Sequence, residues 1–146
     1  MVYKEMNKEL SLLLDEMGQK AKIASSILNT ASSDQKNKFF DLAIESIQKD
    51  ADTILEANQA DVQQAKENNM DEAFIDRLAL DNARLQGICD TLEAIKSFED
   101  PVGKVLATWD RPNGLNISRI ATPLGVIGLI FESRPNVAAD AGGLCL

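Results

Sequence analysis

Leu124-Gly125-Val126-Ile127-Gly128-Leu129-Ile130-Phe131, followed by Glu132-Ser133-Arg134-Pro135-Asn136, is the stretch that decides the fold class. An unbroken apolar run, bounded by Thr122-Pro123 and by a polar loop, reads as a strand buried on both faces. Such strands belong to parallel sheets covered by helices. The segment after the loop, Val137-Ala138-Ala139-Asp140-Ala141-Gly142-Gly143-Leu144-Cys145-Leu146, is rich in small residues and reads as the start of a helix. Strand, polar loop and helix in that order form the usual place to hold a nucleotide or phosphate, because the helix N-terminus offers free N–H groups and partial positive charge. Gly125 and Gly128 lie inside the run rather than in the turn after it, so the G-x-G-x-x-G dinucleotide fingerprint is absent.

A buried parallel strand needs a neighbour on each edge, and no other run in the chain has this composition. The final residues, Leu144-Cys145-Leu146, are apolar, with no C-cap, no Lys or Arg and no closing Gly. The expectation is the front part of a longer protein, cut inside its first α/β unit. Working back toward the N-terminus, 104–109 is a short β-prone run. Asp110-Arg111-Pro112-Asn113-Gly114 is a turn, and 115–121 alternates. Together these predict a β-hairpin over 104–121, with Trp109 as a packing or interface anchor.

Before the Glu99-Asp100-Pro101-Val102-Gly103 stop, the chain reads as helix almost throughout. Leu10, Leu13, Leu14, Met17, Ala21, Ala24, Ile27 and Leu28 form one stripe at three-four spacing. Ser32-Ser33-Asp34 breaks it and can cap the next helix. A second stripe runs through Phe40, Ala43, Ile44, Ile47, Ala51, Ile54 and Leu55 to Val62 and Ala65, with a kink expected at 49–52 and an end at Asn68-Asn69. A third segment carries Phe74, Ile75, Leu78 and Leu80. Asp81 then caps a helix with Leu85, Ile88, Cys89, Leu92 and Ile95 inward. The acidic residues fall mainly on the opposite faces, as solvated surface.

Composition narrows the function. The chain has 146 residues, which is one domain's worth, and is 45% hydrophobic, enough for a core. It contains no histidine. That excludes His-assisted hydrolases, His-containing zinc sites and a histidine general base, and no metal site is expected. With 23 acidic against 15 basic residues the net charge is −8, which argues against a nucleic-acid or anionic-membrane surface. Cys89 and Cys145 stand in no ligand spacing and read as reduced core thiols of a cytoplasmic protein. The N-terminus, Met1-Val2-Tyr3-Lys4-Glu5, opens no targeting segment, and 124–131 is far shorter than the roughly 20 residues that span a bilayer.

Thr122-Pro-Leu-Gly-Val-Ile-Gly-Leu-Ile-Phe-Glu-Ser-Arg-Pro-Asn-Val-Ala-Ala-Asp140, with Leu144-Cys-Leu146 after it, resembles the gamma-glutamyl phosphate reductases. These are also called glutamate-5-semialdehyde dehydrogenases, a divergent branch of the aldehyde dehydrogenase superfamily. Met17-Gly18-Gln19-Lys20-Ala21, Ile54-Leu55-Glu56-Ala57-Asn58, Asp61-Val62, Asp76-Arg77-Leu78-Ala79-Leu80, Ala83-Arg84-Leu85 and Asp100-Pro101-Val102-Gly103 agree in the same order. P-L-G-V-I-G recurs loosely across the superfamily, whereas the E-x-R-P-N continuation is specific to this reductase. The resemblance implies an α/β fold with an N-terminal helical layer over 1–103. A protruding β-hairpin over 104–121 follows as an oligomerisation arm. Residues 122–146 then begin a Rossmann-like NADP-binding sheet, incomplete here.

The implied reaction is the NADPH-dependent reduction of L-glutamyl 5-phosphate to L-glutamate 5-semialdehyde and phosphate, a step of proline biosynthesis. In the family a cysteine thiolate displaces phosphate to give a thioacyl intermediate, and hydride from the nicotinamide follows. That nucleophile lies beyond position 146, and neither Cys89 nor Cys145 matches it, so the 146 residues alone are expected to be inactive. Glu132, Ser133 and Pro135 are the implied cofactor-binding residues. Asn136 is the candidate oxyanion donor by analogy with the Asn of the P-W-N loop in aldehyde dehydrogenases, although an ungapped alignment puts Arg134 there. Arg134 is the candidate substrate-binding residue, a bidentate cation for the acyl phosphate or a carboxylate. A structural Arg134, paired with Glu132 or Asp140, is the plain alternative. A helical interaction module without chemistry and another member of the superfamily are the competing functions. The first leaves 124–136 without purpose, and P-W-N would have favoured the second.

Overall fold

The structure, a computed structural model, describes residues 2–146, with the side chains of 8–146. Met1 and the side chains of 2–7, on which the reading of the N-terminus turned, lie outside the described residues. The chain divides into two compact units, one made of 32–99 and 129–146, the other of 1–31 and 100–128.

The first unit is helical. Helix α2 (Ser33–Lys49) starts where the break was expected, at a reciprocal cap: Gln35 N–H donates to Ser32 Oγ at 3.2 Å, and Ser32 N–H donates to Gln35 Oε1 at 2.9 Å. The single long helix expected from the second stripe breaks at Asp50, whose φ of −97° and ψ of 16° end α2 and start α3 (Ala51–Glu67). Asn69, at φ 55°, turns the chain out of α3. Asp71 accepts from Phe74 N–H at the start of α4 (Glu72–Leu78), and Asp81 does the same for Arg84 N–H at the start of α5 (Asn82–Lys96).

Helix α6 (Asn136–Leu144) completes the unit. Phe40, Ala65, Leu85, Ile88, Cys89 and Leu92 are buried and form its core. Gly143 lets α6 approach closely, since a Cβ there would stand 3.1 Å from both Leu92 Cδ2 and Phe40 Cε1. Lys96 of α5 reaches Asp41 of α2 at 2.5 Å, and that bond raises the lysine's pKa.

The second unit contains α1 (Val2–Leu28) and the expected hairpin. Strands β1 (Val105–Asp110) and β2 (Asn116–Ile120) pair antiparallel, Trp109 facing Ile117, with an irregularity between Val105 and Ala107. Arg111 N–H donates to Leu115 O at 2.8 Å across the turn, where Gly114 takes φ 83°. That left-handed geometry is what glycine allows. The apolar stripe of α1 is open to solvent: Leu10, Leu13, Leu14, Met17 and Ile27 are all more than half exposed.

Two expectations are corrected. Residues 124–131 form no strand, and their side chains are exposed, Leu124 to 90%. An extended segment becomes a strand only by pairing its backbone, and among the described residues this run has no partner strand. The Rossmann-like sheet is therefore absent from the described residues. The second correction is Cys145: Cys89 is buried as expected, but Cys145 is exposed at the end of α6.

Candidate functional site

The site is set up by the turn between α4 and α5. Asn58 of α3 is 5% exposed and holds that turn with its side chain, Nδ2 donating to Leu78 O at 2.8 Å and Oδ1 accepting from Leu80 N–H at 2.7 Å. A buried amide is tolerable only with its partners in place, and here both of its ends are bonded. Arg84 grips the same turn from α5, donating to Ala79 O at 2.8 Å, to Asp76 O, and to the Asp76 carboxylate at 2.7 Å. The Asp76 bond raises the Arg84 pKa, so this guanidinium stays charged.

Opposite lies the 132–136 loop. Arg134 N–H donates to Glu132 O at 2.8 Å, closing a tight turn around Ser133, which sits at φ 57°. A non-glycine residue there costs about 1 kcal/mol, and such strain concentrates at functional sites. Pro135, at φ −64° and ψ −30°, already has helical geometry and leads directly into α6. The next residue, Asn136, donates from Nδ2 to Asp140 Oδ2 one turn on at 2.8 Å, an i,i+4 pair that fixes the Asn136 amide. The other Asp140 oxygen is buried and, among the described residues, has no hydrogen-bond partner.

Between these two walls runs a cleft of about 320 Å³. Arg134, Pro135 and Asn136 line it, so three of the five residues singled out in the sequence come together. Glu132 is exposed and Ser133 half-buried, and neither lines the cleft. Arg134 pairs with neither Glu132 nor Asp140; among the described residues its side chain has no ion-pair partner. Arg77, Arg84, Gly87 and Asp140 are further lining residues to which the sequence reading gave no role in a site. Three of them lie in quoted strings: Arg77 in Asp76-Arg77-Leu78-Ala79-Leu80, Arg84 in Ala83-Arg84-Leu85, and Asp140 at the end of the string that starts at Thr122. The signal was present without the geometry that gives it meaning.

The arrangement suits a small anion-bearing ligand: guanidinium groups on both walls, with the held Asn136 amide on the same wall as Arg134. A nicotinamide cofactor fits it only in part. Pro135 offers a ring face, but Ser133 and Glu132 do not line the cleft, and nothing in 132–136 is the glycine-rich turn that would take a pyrophosphate. Neither thiol lines the cleft. Burial pushes the Cys89 thiol pKa up, the reverse of what a nucleophile needs. Among the described residues no group of His, Cys, Asp and Glu could hold a metal, and no helix is long and apolar enough to cross a membrane.

No family model matches the chain. It is 51% identical over 141 residues to the gamma-glutamyl phosphate reductase of Brucella suis, and 49% identical over 142 residues to that of Brucella anthropi, each alignment covering 97% of this chain. Those alignments cover 34% and 33% of the two relatives, so the chain spans about one third of their length. Among solved structures, the gamma-glutamyl phosphate reductase of Thermotoga maritima superposes with a TM-score of 0.87 at 38% identity. This covers 90% of this chain and 32% of that one. The Saccharomyces cerevisiae gamma-glutamyl phosphate reductase gives 0.84 at 30% identity, covering 88% and 33%. In sequence and in fold the chain is a relative of the gamma-glutamyl phosphate reductases, over the third of their length that it matches.

Proposed function

We propose that the chain serves in the NADPH-dependent reduction of L-glutamyl 5-phosphate to L-glutamate 5-semialdehyde and phosphate, a step of proline biosynthesis in the cytoplasm. The observation that carries this reading is the 51% identity, maintained over 97% of the chain, to an enzyme named for that reaction. The cleft supports it. Among the described residues nothing takes up the Arg134 fork of N–H donors, which suits the phosphoryl group of an acyl phosphate. Asn136 has one amide N–H committed to Asp140 and a second left to donate to an oxyanion developing on the acyl carbon.

NADP(H), when bound, would supply the hydride chemistry; of the residues expected to hold it, Pro135 lines the cleft, while Glu132 and Ser133 stand beside it on the same loop. The nucleophilic cysteine is neither of the two in this chain, so the reaction needs residues outside these 146. The hairpin is assigned to contact with a second subunit: Val105, Leu106 and Ile120 are about half exposed, and Trp109 is 40% exposed.

The test is NADPH oxidation with L-glutamyl 5-phosphate, run on the gene product as the cell makes it and on the purified 146-residue chain. Turnover by the gene product and none by the 146 residues is the expected result. Turnover by the 146 residues would contradict the assignment of the nucleophile. If the cell makes these 146 residues as they stand and they are inert, the non-catalytic interaction module is the function.

A further inference from the structure

We infer that the cleft recognises the amino-acid end of its substrate, Arg77 pairing with the α-carboxylate and Gly87 leaving room for the carbon chain. This rests on the reductase reading and names the specificity of that same site. Three guanidinium groups line the cleft in a chain of net charge −8. Arg84 is spent on Asp76 and Ala79. Arg77 and Arg134 remain, and neither has an ion-pair partner among the described residues. They come from different elements, the last turn of α4 and the loop before α6. A ligand with an anionic group at each end engages both. Phosphate on Arg134 leaves Arg77 for a carboxylate.

Gly87 is the independent observation. It stands inside α5, where glycine is the poorest ordinary residue, yet a Cβ there would meet nothing within 4 Å. Packing therefore gives no reason for glycine. Its position in the cleft wall does, because any side chain there takes up ligand space.

The experiment uses the gene product as the cell makes it, in the direction that consumes L-glutamate 5-semialdehyde, inorganic phosphate and NADP. Arg77→Ala raises KM for the semialdehyde at least tenfold, with a much smaller change in kcat and none in KM for phosphate. Arg77→Lys recovers part of the loss. Gly87→Ala raises the melting temperature and also raises the semialdehyde KM, a pairing that a merely structural position would not give. An unchanged semialdehyde KM in Gly87→Ala and in folded Arg77→Ala, with the wild type active, overturns the inference and leaves the reductase reading standing. A wild type without turnover overturns both. Should Arg77→Ala fail to fold, Gly87→Ala decides.

Discussion

Helices α1 and α5 carry similar apolar stripes, and the structure treats them oppositely. Leu92 of α5 is 2% exposed, while Leu13 of α1 is 53% exposed. Both stripes follow three-four spacing, so the difference does not lie in the pattern. It lies in what the pattern meets: α5 has α2 and α6 against it, and each stripe contributes only as much as it buries. Three-four spacing specifies a helix and a face, and a neighbouring element decides whether that face becomes core.

The largest expected effect comes from the buried stripe. Leu92→Ala removes a side chain packed near Gly143 and should lower unfolding stability by about 2–4 kcal/mol in urea denaturation followed by circular dichroism. Asn58→Ala comes next. It strips the partners from Leu78 O and Leu80 N–H and should cost about 1–3 kcal/mol. Its sharper readout is functional, since loosening the α4–α5 turn also disturbs the cleft wall that carries Arg77 and Arg84. Ser32→Ala removes half of the reciprocal cap on α2, for about 1 kcal/mol. Leu13→Ala should change stability by less than about 0.5 kcal/mol in the 146-residue chain. A Leu13→Ala loss as large as that of Leu92→Ala would break the comparison.

What was legible in the sequence is what local chemistry decides. The caps at Ser32 and Asp81 and the turn at 110–114 each depend on a few adjacent residues and stand where the reading put them; at Asp50 the reading had a kink in one long helix, and the structure has a full break at that place. The inward stripe of α5, Cys89 included, was legible because its period is strong. The strand at 124–131 failed for a different reason: its composition suits a sheet interior, but a ladder needs a second backbone. Cys145 was misplaced because an apolar neighbourhood in sequence, Leu144 and Leu146, does not settle which way a helix end faces.

The cleft was half legible. Arg134 and Asn136 stood out through the R-P-N string. Arg77, Arg84 and Gly87 gain a role only when α6 is brought beside the α4–α5 turn, a long-range approach that no local spacing reports.

The most direct test of the reductase assignment is Arg134→Ala in the gene product as the cell makes it, with turnover and the thermal midpoint measured on one preparation. Here kcat/KM should fall by at least about a hundredfold while the midpoint moves by no more than a few degrees, because Arg134 has no ion pair to lose among the described residues. A large drop in the midpoint with turnover per folded molecule preserved would contradict that assignment and make Arg134 a structural arginine.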